Sequence, residues 1–189
     1  MTTAKNIAVF GFAGNPPHNG HRDVIIRASE SVDSVIVVPS YRHAFGKQMS
    51  RYDDRLSLAK ALCDSLPNGV TAKVSNIEER ISETKSKLEP IYTYDVMSAL
   101  QKENPSAKFV FVVGPDNASP EGWAKFYRSS DIAMRWGTLA IPETIRVRST
   151  QIRKKIAMGK LPEQNECPQE VITLLEQIYF KMEQASGQH

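Results

Sequence analysis

Two histidines, His18 and His21, lie three positions apart in the turn Gly11–His21, which reads GFAGNPPHNGH. The turn follows the apolar run Ile7–Phe10 and leads into a pattern typical of an amphipathic helix. Backbone N–H groups at a helix N-terminus attract anions, and imidazoles can add hydrogen-bond donors and, when protonated, positive charge. These residues therefore predict a nucleotide site with histidine chemistry.

Two common phosphate-binding motifs are absent from this turn. The G-x-G-x-x-G fingerprint would need a glycine where Pro17 stands, and no lysine follows the glycines as G-x-x-x-x-G-K-[ST] requires. The sequence thus argues against an ordinary dehydrogenase or kinase. A single histidine is more often structural than catalytic, but two in one glycine-containing turn favour a functional interpretation.

Apolar runs of strand length recur along the chain, with helical patterns between them. The runs are Ile7–Phe10, Val35–Val38, Phe109–Val113 and Thr138–Ile141, with a weaker one at Val70–Val74. Runs without polar alternation are typical of strands buried on both faces, as in parallel sheets. The pattern predicts one α/β domain over residues 1–189, a Rossmann-like, doubly wound, mostly parallel sheet with C-terminal helices. Such sheets bind ligands at the carboxyl ends of their strands.

Polar segments without a pattern predict the irregular parts of the chain. Residues 40–50 and 78–90 are expected to be surface loops, and Glu78 is expected to be a solvated charge. Residues 184–189 are expected to be a frayed tail.

Composition excludes several classes of protein. The net charge of +3 comes without a basic stripe interleaved with aromatics, so no nucleic-acid partner is expected. No apolar run approaches the roughly 20 residues that a membrane span needs. Cys63 and Cys167 are far apart in sequence, which predicts reduced thiols and, with no signal-peptide pattern, a cytoplasmic protein. The oligomeric state is left open, a homo-oligomer included.

The histidine turn resembles the opening G-G-[TS]-F-D-P-x-H-x-G-H of the nicotinate- and nicotinamide-nucleotide adenylyltransferases of the nucleotidyltransferase superfamily. The proline and both histidines are present, whereas Gly14 and Asn15 replace the family's Phe and Asp. Further matches are a V-P…P-H-K-like stretch at 38–47, D-R-L at 54–56, a P-S-Y-T-x-D-T-L-like stretch at 90–97, an F-I-I-G-x-D-like stretch at 111–116, an I-S-S-T-x-I-R-like stretch at 147–153 and a closing helix at 167–179. The resemblance therefore covers most of the chain.

The resemblance implies transfer of AMP from ATP to a pyridine mononucleotide, with release of pyrophosphate, in NAD biosynthesis. It makes His18 and His21 the catalytic residues, as donors to the ATP phosphates, with pKa values expected to rise when ATP binds. The expected ATP-binding residues are Gly11, Phe12, His18, His21, Gly114, Asp116, Ser149, Thr150 and Arg153, and the expected substrate-binding residues are Asn15, Lys47, Thr93 and Trp123.

A second phosphate clamp is expected at Ser149, Thr150 and Arg153. The Ser/Thr pair could cap a helix whose N-terminus faces the phosphates, and Arg153 would lie one turn later. An ordinary N-cap with an exposed arginine explains the same residues equally well. Arg148 replaces the first serine of the family's pattern, which would make the clamp more basic.

The remaining site residues each have a structural alternative. Gly114 and Asp116 could approach a ribose or form a β-turn. Trp123 could stack on a pyridine ring or pack in the core, and Thr93 could cap a helix, contact the nicotinate end, or do both.

Magnesium is expected as the ATP complex, held mainly by phosphates and water, because the carboxylates form no obvious metal site. The expected partners are ATP and a pyridine mononucleotide. Alternatives are a related adenylyltransferase acting on another phosphorylated substrate, such as phosphopantetheine, and a non-catalytic nucleotide-binding regulator. S-T-x-I-R argues against CMP transfer, for which R-T-x-G-I is typical. The sequence does not separate nicotinate from nicotinamide mononucleotide.

Overall fold

Five parallel strands form the centre of the fold, which a computed structural model describes over residues 4–42, 48–86 and 89–180. The strands are β1 (Asn6–Phe12), β2 (Ser34–Pro39), β3 (Ala72–Val74), β4 (Lys108–Val113) and β5 (Thr138–Ala140). They pair in the order β3-β2-β1-β4-β5, every neighbouring pair being parallel. The chain reverses its direction of winding between β1 and β4, where such sheets bind ligands. The predicted α/β doubly wound sheet is confirmed.

Helices cover both faces of the sheet. They are α1 (Asn19–Ser29), α2 (Tyr52–Asp64), α3 (Ile77–Ser82), α4 (Thr93–Glu103), α5 (Pro120–Trp123), α6 (Ser129–Arg135), α7 (Ser149–Ala157) and α8 (Gln169–Tyr179). Alternate β1 residues contribute to two separate cores: Ala8 and Phe10 pack with α1, α2 and α8, whereas Ile7 and Val9 pack with α4 and α6. Burial on both faces explains why the strands are continuous apolar runs.

The predicted loop at 78–90 is wrong at its start, because α3 occupies Ile77–Ser82. Glu78 is buried rather than solvated, and its Oε2 accepts a hydrogen bond from the Tyr41 backbone N–H at 2.7 Å. Burial raises the pKa of Glu78 to about 8, although the Tyr41 N–H and the Arg55 charge both oppose the rise. The structure therefore places a largely protonated carboxyl under the β2 loop at neutral pH.

Two predicted helix caps are also wrong. Thr93 is the first residue of α4, and Tyr92 occupies the N-cap position; Asp95 accepts the Tyr92 N–H at 3.0 Å. Ser149 is likewise the first residue of α7, after Arg148 at the N-cap, with no side-chain capping bond.

The remaining predictions concern thiols and membranes. Cys63 and Cys167 are both free, as predicted, and burial raises the pKa of each thiol to about 12. Among the residues that the structure describes, no helix has the length and apolarity needed to span a bilayer.

Candidate active site

A cavity of about 300 Å³ opens at the carboxyl ends of β1 and β4. Its walls are the turn after β1, Gly114 and Pro115 after β4, the segment Pro142–Ile145 after β5, and the first residues of α7. This is the reversal point of the sheet, where the sequence predicts the nucleotide site.

His18 and His21 form the start of α1 and cap it jointly. His18 Nδ1 accepts the Gly20 N–H at 3.1 Å, and His21 Nδ1 accepts the His18 backbone N–H at 3.2 Å. The two rings stack with centroids 3.7 Å apart and planes inclined by 26°. Because each Nδ1 accepts, each neutral ring carries its proton on Nε2. The pair thus offers two fixed Nε2–H donors at the cavity wall.

The local environment keeps both imidazoles neutral. Burial, helped by the positive charge of Arg148 and opposed by the charge of Glu143, lowers the pKa of His18 to about 4. Burial also lowers the pKa of His21 well below its ordinary value, with His18 and Arg148 acting in the same direction. Near pH 7 the two imidazoles are therefore hydrogen-bond donors without charge. The expected rise in pKa on ATP binding stays a prediction.

Arg55 holds the turn that contains the histidines to the segment between β2 and α2. Its side chain is buried, with 2% of the residue exposed. Nη1 donates to the carbonyls of Ala13 at 2.9 Å and Ser40 at 2.7 Å, while Nε donates to the carbonyl of Ser50 at 3.0 Å. Ala13 lines the cavity. Arg55 thus fixes one wall of the site from behind, a role that the sequence analysis missed.

The start of α7 is tied to the same turn from the other side. Ser149 Oγ donates to the Pro16 carbonyl at 2.9 Å. Arg153 donates through Nη1 to the Asn15 carbonyl at 2.6 Å and through Nη2 to Thr150 Oγ1 at 3.2 Å. The two predicted phosphate-binding segments are far apart in sequence, but these hydrogen bonds hold them directly against each other.

The structure brings most of the predicted ATP-binding residues to the cavity. Those that line it are Gly11, Phe12, His18, His21, Gly114, Ser149 and Thr150. Arg153 lies beside the lining, in contact with Thr150. Asp116 belongs to the short turn Pro115–Asn117, whose first and last residues line the cavity.

The predicted substrate-binding residues are more dispersed. Asn15 is buried, and its Oδ1 accepts the Ser50 N–H at 3.3 Å. Trp123 packs against Phe111 and Phe126, with ring centroids 6.0 and 5.0 Å away, and both of these phenylalanines line the cavity. Trp123 itself is partly buried beside the second core.

The other two predicted substrate-binding residues are Thr93 and Lys47. Thr93 starts α4, outside the cavity lining, and Lys47 lies outside the described residues.

Carboxylates at the cavity are already engaged by protein groups. Asp23 accepts a hydrogen bond from the Thr144 hydroxyl, and Glu143 forms an ion pair with Arg148 at 2.5 Å. Over the described ranges, no three His, Cys, Asp or Glu side chains come together in a way that could hold a metal ion.

The chain is similar over most of its length to a known family and to several named proteins. The cytidylyltransferase-like family model matches residues 13–155. A Myxococcus xanthus protein that carries the name nicotinate-nucleotide adenylyltransferase is 28% identical over 174 residues, covering 86% of this chain and 87% of the relative. A Campylobacter jejuni protein of the same name is 28% identical over 190 residues, covering 94% and 98%.

Solved structures agree with the sequence relatives. A crystal structure from Vibrio parahaemolyticus, whose protein carries the same name, has 32% identity and a TM-score of 0.73, covering 90% of this chain and 98% of that one. The Plasmodium falciparum nicotinic acid mononucleotide adenylyltransferase complexed with NaAD has 15% identity and a TM-score of 0.63, a likeness of fold alone, covering 93% and 97%. The chain therefore belongs to the cytidylyltransferase-like family and, within it, to the nicotinate-nucleotide adenylyltransferases.

Proposed function

We propose that this protein transfers the AMP group of ATP to nicotinate mononucleotide and releases pyrophosphate, a step of NAD biosynthesis. The observation that carries the proposal is the stacked His18–His21 pair, which presents two Nε2–H donors at a cavity on the reversal point of the sheet. The names of the sequence relatives support the same activity.

The reaction needs no general base in this site. A phosphate oxygen of the mononucleotide attacks the α-phosphorus of ATP and forms the new P–O bond. The bond from that phosphorus to the oxygen bridging to the β-phosphate breaks, and its electron pair leaves with pyrophosphate. Because a phosphate monoester is already anionic near pH 7, catalysis consists of positioning and of stabilising charge on the transferred group.

The histidines would bind the transferred phosphoryl group, and the start of α7 would bind the phosphates from the other side of the cavity. His18 and His21 would donate through Nε2, from a geometry that the α1 backbone fixes before the substrate arrives. The N-terminus of α7, which has no side-chain cap, would offer backbone N–H groups and the hydroxyl of Thr150, while the Ser149 hydroxyl donates to the Pro16 carbonyl. Preorganised donors of this kind act without a reorganisation cost during the reaction.

The pyridine end is proposed to lie towards Trp123 and Phe126. Their rings form one aromatic group with Phe111 at the cavity margin, and a flat pyridine ring can stack on such a surface. A magnesium ion brought with ATP neutralises phosphate charge. It would be held by phosphates and water, since the described residues gather no carboxylate cluster.

A paired assay tests the proposal. The protein is incubated with magnesium and ATP plus either nicotinate or nicotinamide mononucleotide, and both pyrophosphate and the dinucleotide are quantified. We expect equimolar formation of the two products, with faster turnover of nicotinate mononucleotide. Binding of ATP without turnover of either mononucleotide would refute the proposal and favour a non-catalytic nucleotide-binding regulator.

A further inference from the structure

Arg148 is the one side chain with a permanent positive charge among the described residues that line the cavity. The lining otherwise includes two carboxylates, Asp23 and Glu143, and the two neutral imidazoles of His18 and His21. A nucleoside triphosphate carries several negative charges, and neutral donors stabilise them less than a cation does. The wall therefore needs a positive charge in addition to the neutral imidazoles, and among its described residues Arg148 supplies one.

The position of Arg148 is fixed by its contacts. Nη1 is 2.5 Å from Glu143 Oε1 and 3.1 Å from the Val147 carbonyl, and the residue stands at the N-cap of α7. Arg148 lines the same cavity as His18 and His21, and its positive charge lowers the pKa of both imidazoles. Arg148 thus belongs to the cavity wall that the histidine pair and the start of α7 also form.

We infer that Arg148 binds the triphosphate of ATP and the pyrophosphate that the reaction releases. A guanidinium has five N–H donors, so it can bind a carboxylate and a phosphate at the same time. Its pair with Glu143 is partly exposed, with 48% and 24% of the two side chains accessible, so a polyphosphate can also compete for it at small cost.

The family pattern that this segment resembles has serine at this position, so the arginine adds a positive charge to the clamp of this particular chain. The inference rests on the proposed function in one respect, namely that the ligand is a nucleoside triphosphate.

Direct binding to three probes tests the inference. The dissociation constants of ATP, pyrophosphate and AMP are measured by titration calorimetry, without mononucleotide, for the wild type, Arg148→Ser and Arg148→Lys. We expect Arg148→Ser to weaken ATP and pyrophosphate binding about tenfold, because a charge-assisted hydrogen bond is lost. AMP binding should change much less, and Arg148→Lys should restore part of the loss.

Arg146→Ser is the matched control. Arg146 is also paired with Glu143, at 3.6 Å, but its side chain is 91% exposed and does not line the cavity. Its substitution should change the three dissociation constants by no more than about twofold. Equal weakening of ATP and AMP by Arg148→Ser, or an effect no larger than that of Arg146→Ser, would overturn the inference. Absence of turnover in the wild type would refute the proposed function while leaving this binding contrast intact.

Discussion

Replacing Arg55 with methionine should destabilise the protein by about 3–5 kcal/mol, the usual cost of breaking a buried charged network. The side chain is 2% exposed and donates to three backbone carbonyls, those of Ala13, Ser40 and Ser50. Hydrogen bonds to a charged group contribute about 1.5–3 kcal/mol each. Three such bonds would contribute about 4.5–9 kcal/mol, and the expected net loss lies at the lower end of this range or below it because methionine fills the space and the cost of burying the guanidinium disappears.

Glu78 does not add to this loss. Its pKa of about 8 keeps it largely protonated at pH 7, so removal of Arg55 leaves no unpaired carboxylate behind. For a domain of this size, about 2–4 °C in Tm corresponds to each kcal/mol, so the expected fall in Tm is roughly 6–20 °C.

Calorimetric and urea unfolding at pH 7 measure the effect of Arg55→Met. Arg51→Met is the control, because the Arg51 side chain is 82% exposed and its ion pair with Asp53 is long, at 3.9 Å. It should change stability by less than about 0.5 kcal/mol. If Arg55→Met is as stable as this control, then Arg55 does not hold the turn after β1 to the segment between β2 and α2, and the cavity wall at Ala13 must be fixed by other contacts.

Three further perturbations test separate parts of the site. Since the pKa of Glu78 rises from 4.5 to about 8 on folding, wild-type stability should fall as pH rises through that window by up to about 1.4 kcal/mol per pH unit. The Glu78→Gln variant should lose this pH dependence of stability. If urea unfolding shows that its free energy of unfolding varies with pH as that of the wild type does, the burial argument is contradicted. Gly20→Ala would place a methyl group 3.0 Å from His18 Cε1. The methyl group should displace the His18 ring, so kcat should fall about tenfold or more. A kcat equal to that of the wild type would show that the ring position is unimportant. Trp123→Ala should raise the KM for the pyridine mononucleotide about three- to tenfold and should raise the KM for ATP less. The control Trp136→Phe should lower Tm without changing either KM. A larger effect of Trp123→Ala on the KM for ATP than on the KM for the mononucleotide would indicate core packing.

The strands could be predicted because their physical cause is visible in the sequence. Parallel strands covered on both faces must be apolar at successive positions, and the run Val35–Val38 shows this directly: its residues alternate between the two cores. The position of the site follows from the same observation, since the turn with His18 must leave the carboxyl end of β1.

The capping role of the histidines was also within reach of the sequence. His18 and His21 have the spacing of a capping box, in which the N-cap and the third helical residue satisfy each other's backbone N–H groups. Imidazole Nδ1 can accept as a hydroxyl or carboxylate oxygen does.

Other features depend on tertiary structure that no local pattern carries. Arg55 belongs to a helix start rich in charge, and its three acceptors come from two connections, the turn after β1 and the segment between β2 and α2. Glu78 is buried because the short helix α3 turns it under Tyr41, and six residues are too few for a helical period to appear. The helix starts at Thr93 and Ser149 differ from prediction by one residue, because neighbouring backbone geometry, not the polar side chain, sets them.

The most direct test of the proposed catalysis is steady-state kinetics of His21→Ala with ATP and nicotinate mononucleotide. Loss of a preorganised donor to the transferred phosphoryl group should lower kcat/KM by on the order of 10²–10³. Loss of the acceptor for the His18 N–H should cost only about 1 kcal/mol, or roughly 2–4 °C in Tm, so the fold should persist. A folded His21→Ala variant with kcat/KM within about threefold of the wild type, less than 1 kcal/mol of transition-state stabilisation, would contradict the role of the histidine pair.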